Sequence, residues 1–172
     1  MIVRETAVAD HEAVARLVTA AFGQPDEAQL IEQIRDSPYA VAGLELVAEV
    51  DGHIAGHILF SRVQVRDAGS GAETPALALA PMAVDPPSQR RGIGSALVRA
   101  GLEKADSQGE GAVIVLGHPS YYPRFGFEPA GPSGIEPPWP DIPGDAFMLR
   151  RLTAFDPRCR GVVVYAPPFD AF

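Results

Sequence analysis

The sequence predicts a single domain built on a mixed α/β or α+β sheet, and three observations carry that reading. The elements run β, α, α, three or four β, α, β, a short helix, then β, which is a sheet with helices rather than a bundle or an all-β stack. An Asp51-Gly52 pair links two strand-like runs, a strong short-range hairpin signal. An apolar run from Ala76 to Val84, as expected of a central strand covered on both faces, leads through a loop into a glycine-opened helix.

Each element has a local reason. Ile2 to Glu5 reads as a short strand. Asp10 can cap a helix running to about Phe22, with Val14, Leu17, Val18 and Ala21 on one face. Gly23-Gln24-Pro25 breaks it. A second amphipathic helix spans about Asp26 to Arg35, with Leu30, Ile31 and Ile34 apolar, and Ser37-Pro38 ends it. Leu44 to Val50 alternates loosely, and its return strand begins near His53 and extends to Val65. Asp67 to Pro75 is a polar, Gly-rich hairpin tip. Pro81 interrupts the Ala76 to Val84 strand. Proline cannot donate to a ladder, so a bulge or a local parting of strands is expected there. Gly92 to Ser107 reads as a helix with Leu97, Val98, Leu102 and Ala105 inward, and Val113 to Leu116 as a short buried strand. The tail holds a Tyr-rich turn, a Pro-rich loop from Pro129 to Pro143, and two strand-like runs, Ala146 to Leu152 and Gly161 to Tyr165.

Composition narrows the function classes. The 172 residues fit one domain, 1–172, large enough to bury a core. Apolar residues at 47% and charged residues at 21% are ordinary for a globular chain. A net charge of −8, with no basic stripe, argues against nucleic acid as a partner. No stretch of about 18 apolar residues occurs and the N-terminus has no apolar signal core, so a soluble, cytoplasmic protein without a membrane partner is expected. Cys159 is the sole cysteine and cannot form an internal disulfide. Its position at the start of an apolar run suits a packing thiol better than a nucleophile.

The chemistry centres on strand, loop and helix from Leu77 to Ser107. A helix N-terminus leaves unpaired N–H groups and partial positive charge, and glycines let a ligand approach that backbone, so the unit can hold a pyrophosphate. Arg90 and Arg91 add positive charge. A Rossmann fingerprint would need a third glycine where Leu97 stands, and a P-loop would need a lysine that Gly92-Ile93-Gly94-Ser95 lacks.

The stretch Ala80-Pro81-Met82-Ala83-Val84-Asp85-Pro86, followed by Gln89-Arg90-Arg91-Gly92-Ile93-Gly94-Ser95-Ala96-Leu97, resembles motif A of the GCN5-related N-acetyltransferase (GNAT) superfamily. The later Tyr121-Tyr122-Pro123-Arg124-Phe125-Gly126-Phe127 is similar to the family's motif B, and with the Pro-rich tail it looks most like the YhbS-like branch. The resemblance implies a GNAT acyl-CoA fold: a mostly antiparallel sheet of about seven strands, splayed between the fourth and fifth, with about four flanking helices. It implies that pantetheine pairs with the backbone of Met82, Ala83 and Val84. It implies that the pyrophosphate lies on Gln89, Arg90, Arg91, Gly92, Ile93, Gly94 and Ser95. The expected activity is transfer of an acetyl group from acetyl-CoA to a primary amine of a small molecule or exposed protein amino group, by direct attack in a ternary complex. The alternative is a catalytically silent acyl-CoA sensor or scaffold. Acetyl-CoA and an amine acceptor are the expected partners, with no metal, in a monomer or homodimer.

Tyr122 aligns with the family's tyrosine and is the candidate general acid for the leaving thiolate. A backbone N–H near Met82 or Ala83 is the candidate oxyanion donor. The base is not readable. His118 could face the acceptor, and Glu45 and Glu49 could serve if their strand faces the cleft. The family's asparagine after the fifth strand is replaced by Gly117-His118-Pro119. His53 and His57, four apart on a strand, are expected on one face, with no third ligand type to complete a zinc site.

Overall fold

A computed structural model describes residues Met1–Phe172. Nine strands and three α-helices are present. The strands share one sheet in the order β1-β2-β3-β4-β5-β8-β6, with β9 on β3 and β7 on β9. The mixed α+β expectation therefore stands. Nine rather than about seven strands are counted because the Pro-rich tail contributes two-residue strands, β6 (Glu128–Pro129) and β7 (Ile135–Glu136). The fourth expected helix is a 3-10 turn, Tyr122–Phe125. The chain forms two compact units: residues 1–61 and 80–104 with Ala171, and residues 62–79 and 105–170 with Phe172.

In the first unit, β1 (Ile2–Glu5) pairs antiparallel with β2 (Ala40–Val50), from Ile2↔Glu49 to Glu5↔Leu46. α1 (His11–Phe22) buries Val14, Leu17 and Val18, an i, i+3, i+4 stripe. Gly23 ends it in the left-handed conformation at φ 76° and donates its N–H to the Thr19 carbonyl at 2.8 Å. Asp10 does not cap α1 as expected. Its carboxylate is already engaged by the Ala7 N–H at 2.8 Å and by the Arg4 guanidinium at 2.7 and 3.0 Å. α2 (Asp26–Arg35) buries Ala28, Leu30, Ile31 and Ile34, with acidic residues in its first turn and Arg35 in its last, matching the helix dipole.

β2 continues antiparallel to β3 (His53–Arg66). The register slips by one between Ala48↔Gly56 and Glu49↔Ile54, leaving Ala55 as the extra residue of a bulge. One inserted residue reverses strand alternation. His53, opposite Val50, and His57, opposite Val47, therefore point to opposite faces, and the expectation that they share one is corrected. α3 (Ile93–Ser107) lies close against β3 through two glycines. A Cβ at Gly56 would meet Ile93 Cγ2 at 2.7 Å, and one at Gly101 would meet the Phe60 ring at 2.3 Å.

In the second unit, β4 (Glu73–Val84, of which residues 73–79 belong here) pairs parallel with β5 (Ala112–Leu116) at Leu77↔Val113 and Ala78↔Ile114. The ladder ends there, just before Pro81, while β5 runs on against β8 (Phe147–Arg151) to Leu116↔Phe147. β9 (Gly161–Val164) pairs with β3 at Val65↔Val163. The core of this unit is Val63, Val65, Ala76, Ala78, Ile114, Ile135, Phe147, Leu149 and Val163. Cys159 belongs to it at 2% exposure, and burial pushes its thiol pKa up, so it packs and stays protonated.

Candidate functional site

The segment from Pro81 to Ser95 lies in the first unit. Pro81 and Ala83 are buried and Met82 and Val84 half-buried, so this end of β4 alternates, unlike the continuous apolar run before it. Asp85 donates its N–H to the Ala55 carbonyl at 2.9 Å, anchoring the end of β4 on the β3 bulge. A 3-10 turn follows at Pro86–Ser88. Gln89 then folds its side-chain amide back onto the Val84 carbonyl at 3.2 Å. It clamps the base of the loop, which leaves its backbone rather than its side chain for a ligand. Arg90 at φ 62° and Gly92 at φ 82° both take left-handed backbone, a strained choice for an arginine. Two such residues so close turn the chain sharply into α3. The first intrahelical bond runs from the Ala96 N–H to the Gly92 carbonyl at 3.0 Å, and by helix geometry the amides of the first turn point out of the helix end. Arg90 and Arg91 are exposed beside them. The loop can therefore receive a pyrophosphate: aligned amides, a dipole end and two exposed cations.

The same unit holds a buried polar cluster. Glu45 on β2 accepts two hydrogen bonds from Arg35 Nε, at 3.1 and 3.0 Å, and a third contact from Arg35 Nη2. His57 Nε2 lies 2.8 Å from Glu45 Oε1. His57 is wholly buried, and the side chains of Arg35 and Glu45 are 14% and 17% exposed. Burial alone would raise the Glu45 pKa, but the hydrogen bonds from His57 and Arg35 reverse that and hold it at about 2. Burial pushes the His57 pKa down, against the pull of Glu45. A neutral His57 beside an ionised carboxylate must carry its proton on Nε2, because the carboxylate can only accept. Nδ1 is then a bare acceptor, and it has no partner. An unsatisfied buried acceptor costs about 1–3 kcal/mol.

In the second unit, the ring of Tyr122 lies over the end of β5. A Cβ at Gly117 would approach its Cε2 to 2.3 Å, so only glycine leaves room for the ring. Tyr121 and Phe127 meet the Tyr122 ring edge-on, at 5.1 and 5.6 Å between centroids. The carbonyl of His118 accepts the N–H groups of Tyr121 at 3.0 Å and Tyr122 at 3.4 Å, and Gly126 closes the turn in left-handed backbone at φ 85°. Burial, and secondarily Tyr121, pushes the Tyr122 hydroxyl up to about 12, so it stays protonated at neutral pH.

Residues 2–130 match the acetyltransferase (GNAT) domain family. The chain belongs to the GNAT acetyltransferases. It is 37% identical over 164 residues to the uncharacterized N-acetyltransferase YjhQ of Escherichia coli strain K12, covering 92% of this chain and 88% of that protein. It is 31% identical to the uncharacterized N-acetyltransferase YhbS of the same strain over the full length of both. The crystal structure of E. coli YhbS in complex with CoA superposes at a TM-score of 0.89, covering 99% of this chain and 92% of that one. A GNAT family acetyltransferase from Brucella melitensis in complex with acetyl-CoA follows at 0.78 and 29% identity, covering 98% and 97%.

Against this GNAT frame, the predicted cofactor residues Met82 to Val84 and Gln89 to Ser95 form one continuous structural unit. Tyr122 is buried and held by its neighbours, whereas the His118 ring is exposed and only its carbonyl has a structural task. Glu49 is committed to Arg4, whose Nε donates to it at 3.1 Å, and is not available as a base. The joining of Glu45, His57 and Arg35 was not readable beforehand, because it depends on the β2–β3 register and on where α2 ends.

Proposed function

We propose that the chain is an acetyl-CoA-dependent N-acetyltransferase acting on a primary amine of a small molecule or an exposed protein amino group. The carrying observation is the left-handed turn at Arg90 and Gly92, which aims the first-turn amides of α3 outward beside two exposed arginines. Two close structural relatives that hold CoA and acetyl-CoA support the same cofactor. The residues present fit the group. The Gln89 to Ser95 backbone would hold the pyrophosphate, and the backbone of Met82, Ala83 and Val84 would pair with pantetheine. The bound thioester supplies an activated acyl carbonyl and a thiolate leaving group.

An N–H at Met82 or Ala83 would then stabilise the oxyanion as the amine adds directly. Tyr122, neutral and buried, would give its proton to the sulfur. His118 takes a secondary place as an exposed group that could face the acceptor. We regard residues 1–172 as one acetyltransferase domain, working in the cytoplasm as a monomer or homodimer. The loss of the family's asparagine at Gly117-His118-Pro119 favours, as the second reading, an acyl-CoA sensor that transfers nothing.

The test is release of CoA thiol with a panel of amines. Tyr122→Phe is expected to lower kcat by roughly 10²-fold or more while leaving acetyl-CoA affinity unchanged; unchanged turnover would remove Tyr122 as the acid. Charge reversal of Arg90 and Arg91 to Glu is expected to weaken acetyl-CoA binding at least about tenfold and to flatten its salt dependence. Unaltered affinity would remove the loop as the phosphate site. Tight acetyl-CoA binding without turnover on any amine would favour the sensor.

A further inference from the structure

Within the first unit, β3 carries a proton acceptor in search of a donor. Glu45 already receives Arg35 and His57, so its lone pairs are occupied by charged or polar donors and it is a poor base. Those contacts fix His57 with its proton on Nε2. The two nitrogens of an imidazole face opposite sides of the ring, so Nδ1 presents its lone pair away from Glu45. No protein group donates to it. Strand alternation puts a second buried polar atom without a partner, Ser61 Oγ, on the same face of β3.

β3 and β4 are neighbours joined by the 67–72 hairpin loop, and the Ala55 carbonyl receives the Asp85 N–H. Counting two residues along β3 and two back along antiparallel β4 sets His57 beside the Met82–Ala83 stretch. A Cβ at Gly56 would lie 3.5 Å from the Ala83 carbonyl oxygen, which agrees with that adjacency. A built base, oriented by a carboxylate that is itself held by an arginine, thus sits one strand from the backbone read as the thioester's.

We propose that His57, oriented by Glu45 and Arg35, is the general base that takes the acceptor amine's proton through Nδ1, directly or across one water. The proposal rests on the acetyl-transfer reading above. In this step an N–H bond of the acceptor ammonium breaks, its electron pair stays on nitrogen, and an Nδ1–H bond forms. His57 becomes an imidazolium whose Nε2–H stays on Glu45. The freed amine adds to the thioester carbonyl, the carbon–sulfur bond breaks, and the thiolate takes the Tyr122 proton. The second N–H proton then leaves the former amine nitrogen, giving the neutral amide, and passes through water to the Tyr122 phenolate, which is restored; His57 gives up its proton through water as product leaves. The groups that face His57 set its readiness: Glu45 on β2 favours the imidazolium, while Arg35 on α2 and His11 on α1 oppose it. The adjacent Pro81 to Val84 stretch of β4 carries no titratable side chain.

The test uses His57→Gln, whose side-chain amide can still donate to Glu45 but offers no basic nitrogen. Expected are an acid limb in wild-type kcat/KM below pH 6.5, and in the variant retained acetyl-CoA affinity, a kcat lowered by roughly 10²-fold or more at pH 7 and loss of that limb. The variant's rate should recover as pH rises and the amine deprotonates unaided. Wild-type kcat and an intact acid limb in the variant would overturn the proposal. A second readout needs no turnover: in protein labelled with ¹⁵N at histidine, the Nδ1 resonance of His57, assigned by its absence in the variant, should move when amine is added to the CoA complex. An unmoved resonance at saturating amine would also overturn it. Failure of the transfer reading itself is distinct, since it appears in wild type as bound acetyl-CoA with no acetylated product.

Discussion

Protonating Glu45 should remove a defined share of the stability of the fold. Its side chain is 17% exposed, and its pKa is held at about 2 against an ordinary 4.5. Because the folded value is depressed, the unfolded chain binds the proton first. The contribution is therefore complete above pH 4.5 and is lost as pH falls from 4.5 toward 2. The difference of about 2.5 pH units corresponds to about 3 kcal/mol. Glu45→Gln gives the control, since its amide cannot ionise. At neutral pH it should be less stable by about 3–5 kcal/mol, the range for leaving a buried partner, here Arg35, uncompensated. Urea unfolding of both proteins at a series of pH values reads the gap between them. That gap should be full at pH 7 and should narrow steeply between pH 4.5 and 2. Asp10, which Arg4 hydrogen bonds hold down to about 2, titrates in the same window but drops out of the difference. His57 adds an earlier loss: burial depresses its pKa, so its contribution is present above pH 6.5 and declines below it, and without the Glu45 charge that favours the imidazolium this loss is deeper in Glu45→Gln, so the gap widens slightly before it narrows. A gap that stays constant from pH 7 to pH 2 would refute the account of Glu45 as an ionised, hydrogen-bonded carboxylate.

Two glycines give further tests. Gly56→Ala would set a methyl 2.7 Å from Ile93 Cγ2 and 2.9 Å from Leu97 Cδ1, in the first turns of α3. Overpacking of about 1–3 kcal/mol exceeds the roughly 0.5–1 kcal/mol that alanine recovers over glycine in a strand. The variant should unfold at lower urea and bind acetyl-CoA more weakly; a gain in stability would contradict the packing. Gly117→Ala would drive the Tyr122 ring off the end of β5, from a contact of 2.3 Å. It should lower kcat by about 10²-fold through misplacement of the hydroxyl, with acetyl-CoA affinity preserved. Unchanged kcat would mean that the ring position is not tied to Gly117.

Much of the fold was legible because its signals are local. Asp51-Gly52 marked the β2–β3 hairpin, Gly23 closed the first helix, and the stripe of Leu97, Val98, Leu102 and Ala105 placed α3. The sharp turn at Gln89 to Gly94 that opens α3 was legible from its glycines. What escaped depended on long-range pairing. The Ala55 bulge turns His57 to the face opposite His53, and the one local cue in His53-Ile54-Ala55-Gly56-His57, the strand glycine Gly56, does not say whether it marks a bulge or the close approach of α3. Asp10 looked like a helix cap because the competing claim of Arg4 comes from a neighbouring strand. The closeness of Gly117 to the Tyr122 ring depends on how the turn after β5 folds back, which Gly117-His118-Pro119 does not encode locally. The split of the Pro-rich tail into β6 and β7 rests on partners far along the chain, Met148 for Pro129 and Gly161 for Ile135.

The central claim is that this chain moves an acetyl group from acetyl-CoA to an amine. Its most direct test is incubation of the intact protein with isotopically labelled acetyl-CoA and a broad mixture of amines and amine-bearing peptides, read by mass spectrometry. Labelled acetyl should appear in a new N-acyl product, with matching release of CoA thiol. Labelled acetyl-CoA recovered bound and intact, with no labelled product from any amine, would contradict it.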